Sequence, residues 1–502
     1  MQELGTVISA PFPPKSNEFW FVLKESKGIP VRENQFIQLN SNEGLLIARV
    51  SEITKSNKYF ERADSVNEFE KSGKPLSSQF PVERWEYLIA KATALGVYND
   101  GISKRPSFPP SPGTKIQKID EKILFDFLGL DKEKGLTIGK IEFHDLEAKL
   151  NLTKLFQKHC AILAQTGFGK SFLTSVIIEE LLDRSLMHGR PAIIIVDPHG
   201  EYTGFSDDEN YVAKTKIFNS KNISISTRRL YERQISIFQP RITDVARREL
   251  GKIIKSLRNS RKVYEMRELI EAIEASDINE RTKYPLVAWM SDLNDTGLFG
   301  IEDSPNMEEL AKEGQLTILD LSEFTQLREK QIVVDYFAKR LFEARRSNKI
   351  PPFVLIVEEA HQFAPEQEER SSAISKGVIE TIAREGRKFA ACLVLISQRP
   401  VQLSTTALSQ CNSNIILRVT NPYDLKHIEE SCEGVTNEMM NMLPGLKVGE
   451  ALITGEVVRY PLLVNVRGRK SRESEKGIKL EDELVRFQNK KSNDNSDLES
   501  FM

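Results

Sequence analysis

One stretch limits what this chain can fold into more than any other: Cys160-Ala-Ile-Leu-Ala-Gln-Thr-Gly-Phe-Gly-Lys-Ser-Phe-Leu-Thr. Cys160 to Ala164 is an apolar run of the size of a buried strand, and from Lys170 onward apolar residues recur at helical spacing. A strand, a glycine-bearing turn and a helix in succession curl the backbone so that consecutive N–H groups point inward. The positive end of the helix stands behind them, which makes a cradle for a polyphosphate. Gln165, Thr166, Gly167, Phe168, Gly169, Lys170, Ser171 and Phe172 form that cradle. Lys170 is placed to reach the β- and γ-phosphates of ATP, and the Ser171 hydroxyl to hold Mg²⁺. The pattern is G-x-x-x-x-G-K-[ST] with Ala164 in place of the first glycine, which alanine can fill if its φ stays negative. A chance Gly-Lys-Ser ahead of a helix is the plain alternative, and the preceding strand argues against it.

Hydrolysis at such a loop needs acids on a neighbouring strand. Phe353-Val-Leu-Ile-Val-Glu-Glu-Ala-His361 delivers two at the end of an apolar run. Glu358 is assigned to the Mg²⁺ shell and Glu359 to orienting and deprotonating the attacking water. Leu395-Ile-Ser-Gln-Arg-Pro400 ends another run, and Gln398 at its tip can bond the γ-phosphate or the water; the alternative is a turn residue before Pro400. Within Thr381-Ile-Ala-Arg-Glu-Gly-Arg-Lys388, Arg384 and Arg387 are candidates for an arginine finger, or else ion-pair partners of Glu380 or Glu385. Asp197-Pro-His-Gly-Glu-Tyr202 closes a further apolar run and brings Asp197, His199 and Glu201 to the nucleotide mouth. Asp197, His199 and Glu201 lack a fourth zinc ligand nearby, so a loop-positioning role is preferred to a metal site. His159 and His361 read as structural, neutral rings.

At 502 residues the chain exceeds one ordinary core. Residues 1–115 carry short alternating runs broken by Gly, Asn, Ser and Pro, the pattern of a small β-barrel or sandwich. The Pro-rich stretch 106–113 closes them and 116–150 reads as a connector, with a strand entry at Gly135-Leu-Thr-Ile-Gly139. Residues 151–229 and 311–470 alternate apolar runs with helical stretches, as in a doubly wound α/β sheet with ligands at the carboxyl ends of its strands. Residues 230–310 form a helical insert rich in Arg241, Arg247, Arg248, Lys252, Lys255, Arg258, Arg261, Lys262 and Arg267. In a chain of net charge −2, so local an excess suggests phosphate contacts, with Arg247, Arg248, Lys252, Lys255 and Arg258 as the DNA-binding set. A solvated helix face is the alternative. Residues 471–502 read as a flexible tail. Four cysteines without metal spacing, no signal peptide and no membrane-length apolar run point to a cytoplasmic protein without a membrane partner.

Together the segment Leu155–Ser171, Asp-Pro-His-Gly-Glu-Tyr at 197–202, Glu-Glu-Ala-His at 358–361, Arg-Glu-Gly-Arg-Lys-Phe at 384–389, Ser-Gln-Arg-Pro at 397–400 and Gly-Glu-Ala-Leu-Ile-Thr-Gly at 449–455 resemble the HerA family of DNA translocases, within the larger group that includes FtsK. The resemblance covers about 1–470. It implies an α/β, RecA-like P-loop ATPase core with an N-terminal β-barrel and a helical insert. It also implies a homo-hexameric ring with ATP between subunits, Arg387 or Arg384 completing the neighbour's site, and double-stranded DNA in the channel. A segment from about 446 to 470, with Arg459 and Arg467, is implied to brace the neighbouring subunit. A NurA-like nuclease partner docking on the barrel is implied as well, in DNA end resection or in defence. The competing expectation is a nucleotide-dependent scaffold that regulates an effector nuclease without translocating; a water-activating acid pair favours the motor.

Overall fold

Short alternating strands make the first part of the chain. In the computed structural model, which describes residues 2–10, 12–24, 31–57, 60, 64, 66–67, 71, 86–99, 101–260, 263–367, 373–432, 434–474, 481 and 483–488, the chain separates into two units. One comprises residues 1–151 and 450–466, the other 152–449 and 467–502.

In the first unit β1 (Glu3–Ile8), β2 (Glu18–Leu23), β3 (Phe36–Ser41), β4 (Gly44–Asn57), β5 (Glu86–Asn99), β6 (Ile102–Lys104) and β7 (Lys115–Lys118) run in the order β2-β1-β7-β3-β4-β5-β6. β2 also pairs with β5, so the sheet closes into a barrel with β6 as an outer strand. Alternation puts Phe19, Phe21 and Leu23 of β2 into the core with Ile37, Leu39, Leu46, Ala48, Ala92 and Ile116. Breaks in register between Ile47 and Ala48 and between Val50 and Glu52 bend the long β4 around the closure. At Gly5 a Cβ would land on the Val22 carbonyl oxygen, so glycine permits the close pairing of β1 with β2.

Residues 116–150, read as a connector, are folded. Asp120 caps the helix Glu121–Leu128 by accepting from Lys122 N at 2.8 Å, and Gly129 ends it in the left-handed region at φ +73°. β8 (Leu136–Ile141) and β9 (Glu147–Leu150) follow as a hairpin. The later strand Leu462–Val466 pairs antiparallel with β8 and with Glu450–Gly455. Tyr460 stacks on Phe127 with ring centroids 4.6 Å apart.

The second unit holds β10 (Cys160–Leu163), β11 (Ala192–Asp197), β12 (Thr215–Phe218), β13 (Ile225–Ser226), β14 (Phe299–Gly300), β15 (Leu316–Asp320), β16 (Phe353–Val357), β17 (Ala391–Ser397) and β18 (Ser413–Ile416). Seven of these lie parallel in the order β12-β15-β11-β16-β17-β10-β18. β10, β11, β15, β16 and β18 are buried on every residue; β10 and β16 are accordingly unbroken apolar runs and β11 is one up to Asp197, while β15 and β18 also bury Thr317, Ser413 and Asn414. β12 is short and polar and carries no such signal. β17 lies between the strand that feeds the glycine turn and the strand that ends in the acid pair.

The insert is helical over Glu232–Phe238, Asp244–Ser260, Met266–Glu274 and Glu280–Asn294. Ala246, Leu250 and Ile254 recur every four residues and form the buried stripe of the second of these. Arg261 and Lys262 lie outside the described residues. Among the described residues no helix is long and apolar enough to cross a membrane.

Candidate functional site

Three parallel strands end side by side, and the polar residues at their tips meet. After β10 the chain turns through Gly167 at φ +81° and Gly169 at φ +88°, conformations that only glycine adopts without strain. Ala164 is not among the positive-φ residues; it is buried, and its N–H bonds Ser397 O at 3.2 Å, so alanine fits where the pattern has glycine. Gly169 offers no side-chain cap to the helix Lys170–Leu182, which leaves the first N–H groups facing the loop. Lys170 Nζ bonds Glu359 Oε1 at 2.8 Å and lies 3.7 Å from Glu358 Oε1.

Glu358 and Glu359 follow β16 and are buried, as is Lys170. Tyr202 donates its hydroxyl to Glu358 Oε2 at 2.5 Å. Burial pushes the Glu358 carboxyl up to about 8, against the pull of Lys170 and of that hydrogen bond. Glu359 sits in the left-handed region at φ +49°, a conformation that costs a non-glycine residue of order 1 kcal/mol or more. Its Oε2 is buried without a hydrogen-bond partner; His361 Nδ1 approaches to 3.3 Å and bonds Ser397 Oγ at 3.1 Å. Burial lowers the His361 pKa, so the ring is neutral. His159 is neutral too, lowered to about 4 by burial, and accepts from Leu393 N at 3.0 Å as a structural residue.

Gln398, at the tip of β17, accepts from the Thr166 hydroxyl. A cleft of about 150 Å³ opens there, lined by Gln165, Thr166, Gln398, Arg399, Thr420 and Asn421 among others. Ser171 donates to Glu201 Oε2. The donors near Lys170 are oxygens of Ser171, Glu201 and Glu358, the hard set that Mg²⁺ takes. These residues fit a magnesium nucleotide.

Residues 136–341 match a family model described as the central domain of helicase HerA. Over 464 residues the chain is 29% identical to the DNA double-strand break repair helicase HerA of Saccharolobus solfataricus, covering 87% of this chain and 88% of that one. The chain is thus similar to HerA helicases along most of its length. A probable helicase of Methanocaldococcus jannaschii is 27% identical over 487 residues, 90% of this chain and 88% of the relative. Among solved structures, VirB4 of Thermoanaerobacter pseudethanolicus superposes with a TM-score of 0.55 at 16% identity, over 68% of this chain and 98% of that chain. The fold is thus a RecA-like P-loop ATPase core with an N-terminal barrel and a helical insert.

Other residues of the chain act on the site from behind. Asp197, expected beside the nucleotide, turns both carboxylate oxygens onto its own loop. Oδ1 accepts from Gly200 N at 2.7 Å and Glu201 N at 3.1 Å, and Oδ2 from Tyr202 N at 3.0 Å. Burial raises its pKa to about 6 while these bonds oppose the rise. Asp197 therefore shapes the site through Glu201 and Tyr202. Nothing in the sequence announces a site role for Tyr202. Arg418 was missed as well: its guanidinium stacks 4.9 Å from the Phe168 ring, and its carbonyl accepts from Gln165 N at 2.9 Å.

Arg384 and Arg387 are exposed and have no ion pair among the described residues; Glu380 instead accepts from Ser404 Oγ at 2.9 Å. Both arginines precede β17, at its amino end, whereas Gln398 follows its carboxyl end. Seven residues of strand put roughly 20 Å between them. Arg459 and Arg467, implied to brace a neighbour, bond within their own chain. Arg459 N donates to Leu128 O at 3.0 Å, and Arg467 donates to Glu179 and Glu180, each at 2.8 Å.

In the insert, a groove of about 610 Å³ is lined by Arg233, Arg247, Arg248, Lys252, Lys255 and Arg258 beside Tyr231. Arg247 pairs with Asp244 and Lys252 with Glu249, each at 2.8 Å. Arg258 donates to the carbonyls of Arg228 and Leu230 and lies 4.1 Å over the Tyr231 ring, so its role is to hold the groove together. Arg248 and Lys255 are exposed and have no such partner among the described residues.

Proposed function

We propose that the chain is an ATP-driven translocase or helicase on double-stranded DNA. It acts in the cytoplasm as a homo-hexamer, with a NurA-like nuclease docked on the barrel, in DNA end resection or repair. One observation carries the reading: Lys170, Ser171, Thr166, Glu358, Glu359 and Gln398 converge at the carboxyl ends of β10, β16 and β17. Several relatives named as DNA double-strand break repair helicases support the choice of DNA as the track.

Lys170 exchanges Glu359 for the β- and γ-phosphates of ATP when the nucleotide binds, and that exchange frees the acid. Glu359 then takes a proton from the attacking water, with His361 behind it. Gln398, tethered to Thr166, aligns the water with the γ-phosphate. Ser171 and Glu358 would hold Mg²⁺, which would supply positive charge against the phosphate oxygens. The distance between Arg387 or Arg384 and its own chain's strand tips favours service to a neighbour's site. In the insert, Arg248 and Lys255, with Arg247 and Lys252 beside them, contact phosphates without reading bases.

The test is ATP turnover by the purified chain with and without duplex DNA. DNA should stimulate hydrolysis, and Glu359→Gln should abolish turnover while sparing ATP binding. Ring assembly with a DNA-independent rate would favour a scaffold; full hydrolysis by Glu359→Gln would remove that residue from the chemistry.

A further inference from the structure

Glu179 lies inside the helix that begins at Lys170 and is fully buried, where a carboxylate needs partners. They come from the stretch 467–474. Arg467 Nη1 donates to Oε2 at 2.8 Å, while Lys470 N, Ser471 N and Ser471 Oγ converge on Oε1 at 2.8, 2.8 and 2.7 Å. Lys470 Nζ reaches Asp183 at 2.9 Å, one turn further along the helix. The chain then crosses to the loop after β11. Arg472 N donates to Asp208 at 3.0 Å, Ser474 Oγ donates to Gly200 O at 2.7 Å, and the same hydroxyl lies 2.7 Å from Thr203 Oγ1. At Gly204 a Cβ would strike the backbone of Arg472 and Glu473, so strap and loop touch backbone to backbone. Residues 471–474, read from sequence as the start of a flexible tail, are thus part of the fold.

The loop held in this way carries Glu201 to Ser171 and Tyr202 to Glu358. We propose that the strap 467–474 is a positioning device for the metal side of the nucleotide site, tying Gly200 and Thr203 to the helix of Ser171 and so fixing Glu201 and Tyr202 against Ser171 and Glu358. The inference rests on the nucleotide reading above. Ser474 is the strap residue that suits a test, since it is half-buried and its hydroxyl meets both Gly200 and Thr203 of the loop.

The experiment uses the full chain with Ser474→Ala, Ser474→Thr and Glu179→Gln. It measures the affinity of a non-hydrolysable ATP analogue with and without Mg²⁺, the Mg²⁺ concentration that half-saturates turnover, and the melting temperature. Mg²⁺ should tighten analogue binding by the wild type. Ser474→Ala should lose about fivefold of that gain, the factor that one hydrogen bond brings, with unchanged metal-free affinity and a higher Mg²⁺ requirement. Ser474→Thr should restore both, and Glu179→Gln should shift them in the direction of Ser474→Ala. A Ser474→Ala protein with the full Mg²⁺-dependent gain, even if it melts earlier, would overturn the proposal and leave the strap a purely structural clasp. A wild type that binds no analogue would instead refute the nucleotide reading.

Discussion

Two residues separate the conformational from the chemical demands on the site. At Gly167 an added Cβ meets nothing within 4 Å, so the cost of Gly167→Ala is the left-handed backbone alone, about 1–2 kcal/mol. That cost falls on the loop's geometry rather than on the core. Gly167→Ala should therefore weaken binding of an ATP analogue by about tenfold and scarcely change the melting temperature, as titration and calorimetry on one sample would reveal. Asp335 presents the opposite case. It lies buried in the helix Leu327–Arg346 with Oδ2 unpartnered, and burial raises its pKa to about 7 despite Lys339. A carboxyl whose pKa is higher in the folded chain than in the unfolded one favours folding below the unfolded value, and that contribution is lost as pH rises through about 7. Asp335→Asn should then melt above the wild type at pH 8 and keep only a smaller part of that advantage at pH 5; an equal difference at both values would contradict this.

At the scale of elements, the insert divides its basic residues between structure and surface. Arg247, Lys252 and Arg258 have partners within the insert, whereas Arg248 and Lys255 are free to meet a phosphate. Arg248→Ala with Lys255→Ala should reduce the salt slope of DNA binding by about 0.9 for each phosphate that is no longer neutralised. An unchanged slope in a binding series from low to moderate salt would make the groove an ordinary solvated face. The sequence made some elements plain and hid others for physical reasons. Fully buried parallel strands such as β11 and β16 must be apolar throughout, and they end abruptly in Asp197 and in Glu358–Glu359, so strand and site read together. β12 and β7 are four residues each, too short for a period to register. The stretch 116–150 resembled a linker because its partner strands are remote in sequence, at 450–466. Tyr202 and Arg418 escaped notice because a contact made across strand tips leaves no spacing in the chain.

For the whole molecule, the polarity of β17 matters most. Gln398 at one end faces the glycine turn of its own chain, and Arg384 and Arg387 at the other end cannot. Mixing Lys170→Ala protein with Arg387→Ala protein should therefore restore hydrolysis that neither shows alone, because an intact loop from one copy meets an intact arginine from the other. Repeating the mixture with Arg384→Ala identifies which arginine acts. No recovery with either arginine variant would return both to their own chain's surface. If the proposed sharing of a site between copies holds, specific activity should collapse on dilution, once copies part company and long before any chain unfolds.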